Sequence, residues 1–169
     1  EEQLGFYYPQ SAFYQKMLQG HIFPTWNNFY YGGVSVSLDQ FVSSFYPLHW
    51  VLFSLFPFVF AHHLSIVLAV MLGCWATYWF GREIGLSRTG SFVCAVTYLL
   101  GTTIGWLDIG TLAAHSFLAL PVAMASLAAV KNGKSIVFYS LVGGVGLGVG
   151  LLAGFMQIMF YVCFIVFCF

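Results

Sequence analysis

The chain has 169 residues, 60% of them hydrophobic and 6% charged, and its five basic side chains balance five acidic ones. A water-facing surface draws on roughly 25% charged residues, so the composition argues against a soluble globular domain. Zero net charge removes the electrostatic basis for binding nucleic acid. Aromatic residues make up 20% of the chain, with 19 Phe and 10 Tyr, a mixture that suits lipid contact by Phe and a place at the membrane interface for Tyr and Trp. The expected fold is all-α: a polytopic transmembrane helix bundle with an aromatic-rich external loop carrying short amphipathic helices.

Residues 1–45 mix aromatic and polar side chains with Gly32, Gly33, Pro9 and Pro24, which predicts an external or interfacial loop rather than a span. Within it, residues 11–19 (SAFYQKMLQ) read as a short amphipathic helix ended by Gly20. Residues 46–169 form the second region, of about four to six hydrophobic helices. A spanning helix needs about 20 apolar residues. Residues 46–60 are apolar but hold Pro47 and Pro57, which predicts a short span or a re-entrant helix. Residues 61–80 predict a full span, and residues 81–90 (GREIGLSRTG) a polar hinge. Spans follow at 91–107, at 111–130, interrupted by Pro121, and at 135–154, with turns at Asp108 and at 131–134 (KNGK). Residues 156–169 begin a further span. The first residue is Glu1 and the last, Phe169, lies in an apolar stretch, so the chain is expected to be a portion of a longer one.

Arg82 and Arg88 mark one loop and Lys131 and Lys134 another, two spans apart. The positive-inside rule places both loops, 81–90 and 131–134, in the cytoplasm. Residues 1–45, the Asp108 turn and the neighbourhood of Gln157 are then expected together on the external side. In the span at 135–154, glycines four apart (144 and 148, 146 and 150, 150 and 154) allow close helix approach, within this chain or against other membrane subunits.

Ionisable groups near a bilayer are costly and therefore candidates for function. Asp39 lies in the external loop, where a carboxylate can act as a general base, cap a helix or pair with a lysine. Glu1 and Glu2 can bind a cation, serve as a base or remain solvated. Asp108 and His115 flank a turn at a spacing of seven, and His115 can bind phosphate, donate a proton or hydrogen-bond a carbonyl. Trp26, Tyr30 and Tyr31 can stack on a sugar or anchor the loop at the headgroups. Gln157 suits an interhelical hydrogen bond or a ligand contact. His62 and His63 are adjacent and cannot share a helix face. Cys74, Cys94, Cys163 and Cys168 sit in apolar runs without metal-ligand spacing and read as small hydrophobic residues. No Walker, zincin or dinucleotide motif is present, and no cofactor or bound metal is expected, although a divalent cation is compatible with the paired carboxylates.

Several segments occur in a telling order: residues 6–10 (FYYPQ), 20–27 (GHIFPTWN), 31–33 (YGG), 39–40 (DQ) and 45–50 (FYPLHW). Residues 82–87 (REIGLS), 114–121 (AHSFLALP) and 153–157 (AGFMQ) follow. As a set they resemble the N-terminal portion of the YfhO-like bacterial membrane proteins, with the first five segments matching their first external loop. These proteins are placed in the superfamily of multispanning GT-C-type glycosyltransferases. The resemblance implies a bacterial plasma-membrane protein that transfers a sugar from a polyprenyl-phosphate donor on the external face, and a spanning helix before the loop. It implies an acidic general base at the start of that loop, which falls on Glu1 or Glu2, where the family more often carries Asp. Glu2 and Asp39 are thus the catalytic candidates. Glu1, Lys16, His21, Trp26, His115 and Gln157 are the candidates for substrate binding, with Lys16, His21 and His115 available to the phosphate. The alternative is a non-catalytic transmembrane subunit packed in a larger membrane complex. A transporter has less support, because the span interiors carry almost no charge.

Overall fold

The computed structural model describes residues 8–23, 25–29, 32–36, 43–106 and 111–169, with side chains omitted at 8, 102–106 and 111–114. The described residues form seven helices and one two-stranded ribbon. The helices are α1 (Tyr8–Gln19), α2 (Pro47–Leu55), α3 (Phe58–Glu83), α4 (Arg88–Trp106), α5 (Thr111–Lys131), α6 (Ile136–Leu152) and α7 (Met156–Cys168). The strands β1 (Trp26–Asn27) and β2 (Val34–Ser35) pair antiparallel, with Trp26 opposite Ser35. The architecture is all-α in character. Among the described residues one helix, α3, is long and apolar enough to cross a membrane, and α6 and α7 are shorter apolar helices.

Local chemistry explains where the helices stop and start. Pro47 opens α2, where a missing N–H costs nothing, and Pro57 separates α2 from α3. Residues 46–60 are therefore a nine-residue helix and the first turn of α3, which begins at Phe58 rather than at 61. The polar hinge at 81–90 contracts to the short link between Glu83 and Arg88. Gly85 adopts a left-handed φ of 88°, the Leu86 N–H returns to the Gly81 carbonyl at 3.0 Å, and Ser87 Oγ accepts from the Gly90 N–H at 3.1 Å to cap α4. This is a glycine C-cap followed by a serine N-cap. The 131–134 turn repeats the device: Gly133 has φ 78° and the Lys134 N–H returns to Ala129 at 3.1 Å.

Two expectations change. Pro121 does not interrupt its helix. It lies buried inside a continuous α5, as neighbouring helices permit. The helix expected at 11–19 begins at Tyr8, with Pro9 in its first turn, and its packed face carries polar groups beside the apolar Phe13 and Leu18. Gln10, Ser11, Tyr14 and Gln15 are the buried residues. Gln15 Nε2 donates to the carbonyls of Phe53 (3.1 Å) and Phe56 (2.6 Å), at the end of α2 where Pro57 interrupts the helical ladder. The Tyr14 hydroxyl donates to the Ser44 carbonyl at 2.9 Å. The helix ends at Gln19, before Gly20, and His21, with φ 56°, takes the left-handed position beyond it.

In the bundle α5 packs against α3, α6 and α7, while α4 lies on α3. The buried faces are built from small residues: Ala61, Ser65, Ala69, Gly73 and Ala76 on α3, at helical spacing, and Ala119, Ala123, Ala125, Ala128 and Ala129 on α5. Large side chains point outward instead, as with Val67, Met71 and Trp75 on α3, Leu141 and Val145 on α6, and Phe160, Phe164 and Phe167 on α7. The α6 glycines serve internal packing in part. A Cβ at Gly150 would stand 2.6 Å from Ala119 Cβ and one at Gly146 2.7 Å from Val122 Cγ1, whereas Gly144 and Gly148 face open space.

The bundle has two distinct ends. At one, Glu83 pairs with Lys134 and accepts from Trp79 Nε1 at 2.9 Å and Asn132 Nδ2 at 3.2 Å, so the α3–α4 and α5–α6 turns meet. At the other, the segment 43–46 meets the first half of α5 and the α6–α7 turn.

Candidate functional site

The second end gathers polar side chains inside an otherwise apolar molecule. Ser43 and Ser44 start the assembly. Ser43 Oγ donates to the Ala153 carbonyl in the α6–α7 turn at 2.5 Å. Ser44 Oγ donates to Val36 O at 2.7 Å, which ties down the ribbon. The Ser44 carbonyl in turn accepts from Tyr14 Oη at 2.9 Å and from Trp50 Nε1 at 2.6 Å. Every one of these groups is a donor or acceptor that burial would otherwise penalise, so the network fixes the segment leading into α2. Phe23 closes over it, with its ring centroid 5.8 Å from Phe45 and 6.0 Å from Trp50.

Tyr46, at the N-cap of α2, is held by that segment. Its hydroxyl lies 2.9 Å from His115 Nδ1 on α5, and the two rings are 4.6 Å apart. His49, three residues on, sets its ring edge-on to Tyr46 at 4.9 Å and to His115 at 5.2 Å, and stacks on Phe53 at 4.9 Å. Two buried imidazoles, from α2 and α5, and one phenol therefore converge. His115 is 1% exposed. Its Nε2 has no hydrogen-bond partner among the described residues. Burial pushes the Tyr46 hydroxyl up to about 12, so the phenol stays protonated at neutral pH and is available as a donor. On α5, Ser116 Oγ reaches the Gly150 carbonyl at 3.4 Å, which links the same turn of α5 to α6.

The sequence-derived candidates fall into three groups. His115 lies inside this cluster. Lys16, His21, Trp26 and Gln157 are described and exposed, and no hydrogen bond or ring contact among the described residues joins them to the Tyr46–His115 pair. The Trp26 indole packs over Gly33, where a Cβ would stand 2.8 Å from the ring; this contact, with a φ of 123° at Gly33, accounts for glycine at that position. Gln157 sits on the outer side of the first turn of α7, while Ile158, Met159 and Val162 face inward. Glu1, Glu2, Tyr30, Tyr31, Asp39 and Asp108 lie outside the described residues. Among the described residues no group of three His, Cys, Asp or Glu side chains is placed to hold a metal ion.

Tyr46, His49, Ser43 and Ser44 were not singled out by residue chemistry. Tyr46 and His49 lie in the segment 45–50 (FYPLHW) that contributes to the family resemblance, which was the available signal. No protein-family model, curated protein or solved structure matches the chain.

Proposed function

We propose that the chain is part of a multi-pass membrane glycosyltransferase that moves a sugar from a polyprenyl-phosphate donor to an acceptor hydroxyl, at the end of the bundle carrying Tyr46 and His115. The observation that supports this reading most is the convergence of the 43–46 segment, α5 and the α6–α7 turn, which carry three of the family-like segments, around a buried polar cluster. The outward apolar and inward small-residue pattern of the helices suits packing in lipid, where close approach rather than hydrophobic contrast drives association. In the reaction, a carboxylate takes the acceptor's proton, the acceptor oxygen attacks the anomeric carbon, and the bond to the lipid phosphate breaks so that the phosphate leaves as an anion. Glu2 and Asp39 are the carboxylates for the first role, and Glu1, Lys16, His21, Trp26, His115 and Gln157 supply contacts to sugar and phosphate.

The test is sugar transfer by the full chain in nanodiscs, with a panel of polyprenyl-phosphate sugars. Loss of the general base lowers turnover on the order of a hundred- to ten-thousand-fold, so either Glu2→Ala or Asp39→Ala falls by that amount. Undiminished transfer in both variants rejects these acids as the base, and no transfer by the wild type rejects the enzyme. A second reading, a non-catalytic subunit of a larger membrane complex, draws on Gly144 and Gly148, whose open faces would admit another helix. Purification of the chain in fixed stoichiometry with other membrane proteins, and without transfer activity, supports it.

A further inference from the structure

His115 carries one satisfied and one unsatisfied ring nitrogen, and the satisfied one dictates the chemistry of the other. Tyr46 Oη is 2.9 Å from Nδ1, and the buried phenol remains protonated at neutral pH. When the phenol donates to Nδ1, that nitrogen is the acceptor and the ring proton resides on Nε2. His115 is 1% exposed, and Nε2 finds no acceptor among the described residues. A buried donor left without an acceptor is costly, so native structures normally supply one from protein, water or ligand. The ring is not free to turn away. His49 stands edge-on against it at 5.2 Å, and the Tyr46 ring lies 4.6 Å from it on another side.

Resting on the transferase reading, we propose that Tyr46 is a positioning residue that presents His115 Nε2–H as a hydrogen-bond donor to a phosphoryl oxygen of the substrate. A neutral Nε2–H can donate one hydrogen bond to an oxygen of the departing phosphate. The same segment that fixes Tyr46 is anchored to the α6–α7 turn through Ser43 and to the ribbon through Ser44.

The experiment records the ring-nitrogen NMR signals of His115 in the full, nitrogen-labelled chain in phosphatidylcholine nanodiscs, assigned with His115→Gln. Additions are undecaprenyl phosphate in one arm and inorganic phosphate in the other. The wild type should show the Nε2-protonated form. Its Nε2 signal should shift with undecaprenyl phosphate and far less with inorganic phosphate; an equal response would assign the phosphoryl group to a free phosphate instead. Tyr46→Phe, checked for unchanged thermal unfolding, should mix the two tautomers, lose most of the shift and raise KM for the lipid donor about tenfold, with kcat changed much less. A wild-type ring protonated on Nδ1, a silent Nε2 in both arms, or a Tyr46→Phe variant that responds like the wild type would overturn the proposal. The wild-type arms do not depend on Tyr46→Phe, so a Tyr46→Phe chain that fails to fold still leaves a decisive result. Sugar transfer with a silent His115 removes this proposal and leaves the transferase, whereas a responding His115 without transfer does the reverse.

Discussion

Glu83 and Lys134 illustrate how one side chain can close the end of the bundle away from the histidines. Glu83 is 7% exposed and Lys134 44%, so the two are unequal partners. The carboxylate also accepts from Trp79 and Asn132, and its removal leaves several donors without an acceptor. Glu83→Ala should therefore cost on the order of 1 kcal/mol, and Lys134→Ala distinctly less, since an exposed ion pair contributes little. Unfolding of both variants in detergent would measure the difference. The hydrogen bond to Glu83 holds the Lys134 ammonium above its ordinary value of 10.5. Its contribution is thus fully present below that value and is lost as the pH rises through the higher, folded one. Stability of the wild type should decline in that alkaline range, and Lys134→Ala should flatten the decline; an identical slope in both proteins would contradict the pairing.

Helix α6 shows what packing asks of an element. Two of its glycines fill different roles although they share one apparent motif. A Cβ at Gly150 meets Ala119 Cβ at 2.6 Å and Met159 Sδ at 2.9 Å, while Gly144 has nothing within 4 Å. Gly150→Ala should cost about 1–3 kcal/mol through overpacking. Gly144→Ala should be neutral or should stabilise by up to about 1 kcal/mol from helix propensity, unless a partner helix occupies that face, in which case it weakens the assembly. Thermal unfolding and size analysis of the two variants separate these outcomes. The helices themselves were legible because glycine, proline and charge punctuate the apolar runs: Gly85 and Ser87 delimit α3 and α4, and Gly133 ends α5. The packed face of α1 was not legible. Its buried Gln15 answers carbonyls near Pro57, about forty residues away, and no local periodicity encodes such a partner. Pro121 misled for the converse reason, since a neighbour-supported proline looks like a break in sequence. At the candidate site His115 was legible as a rare ionisable group in an apolar run, but Tyr46 stands 69 residues from it, and their pairing arises only from the way α2 is set against α5.

Across the described helices, large apolar side chains lie on the outside as well as in the core. Small residues fill the contacts between α3, α5 and α6, and Trp75, Leu141, Phe160 and Phe167 face outward. The four basic residues after Lys16 all lie at or beside the Glu83–Lys134 end, and the aromatic loop with Tyr46 and His115 lies at the other. We propose that these ends face opposite sides of a membrane, with the chemistry on the loop side. The most direct test is labelling with a membrane-impermeant thiol reagent in intact cells, in a background where Cys74, Cys94, Cys163 and Cys168 are replaced. Ser35→Cys, in the ribbon, should react in intact cells. Asn132→Cys, in the α5–α6 turn, should react only after the membrane is opened. Equal labelling of the two positions in intact cells, or labelling of Asn132→Cys alone, would overturn this sidedness.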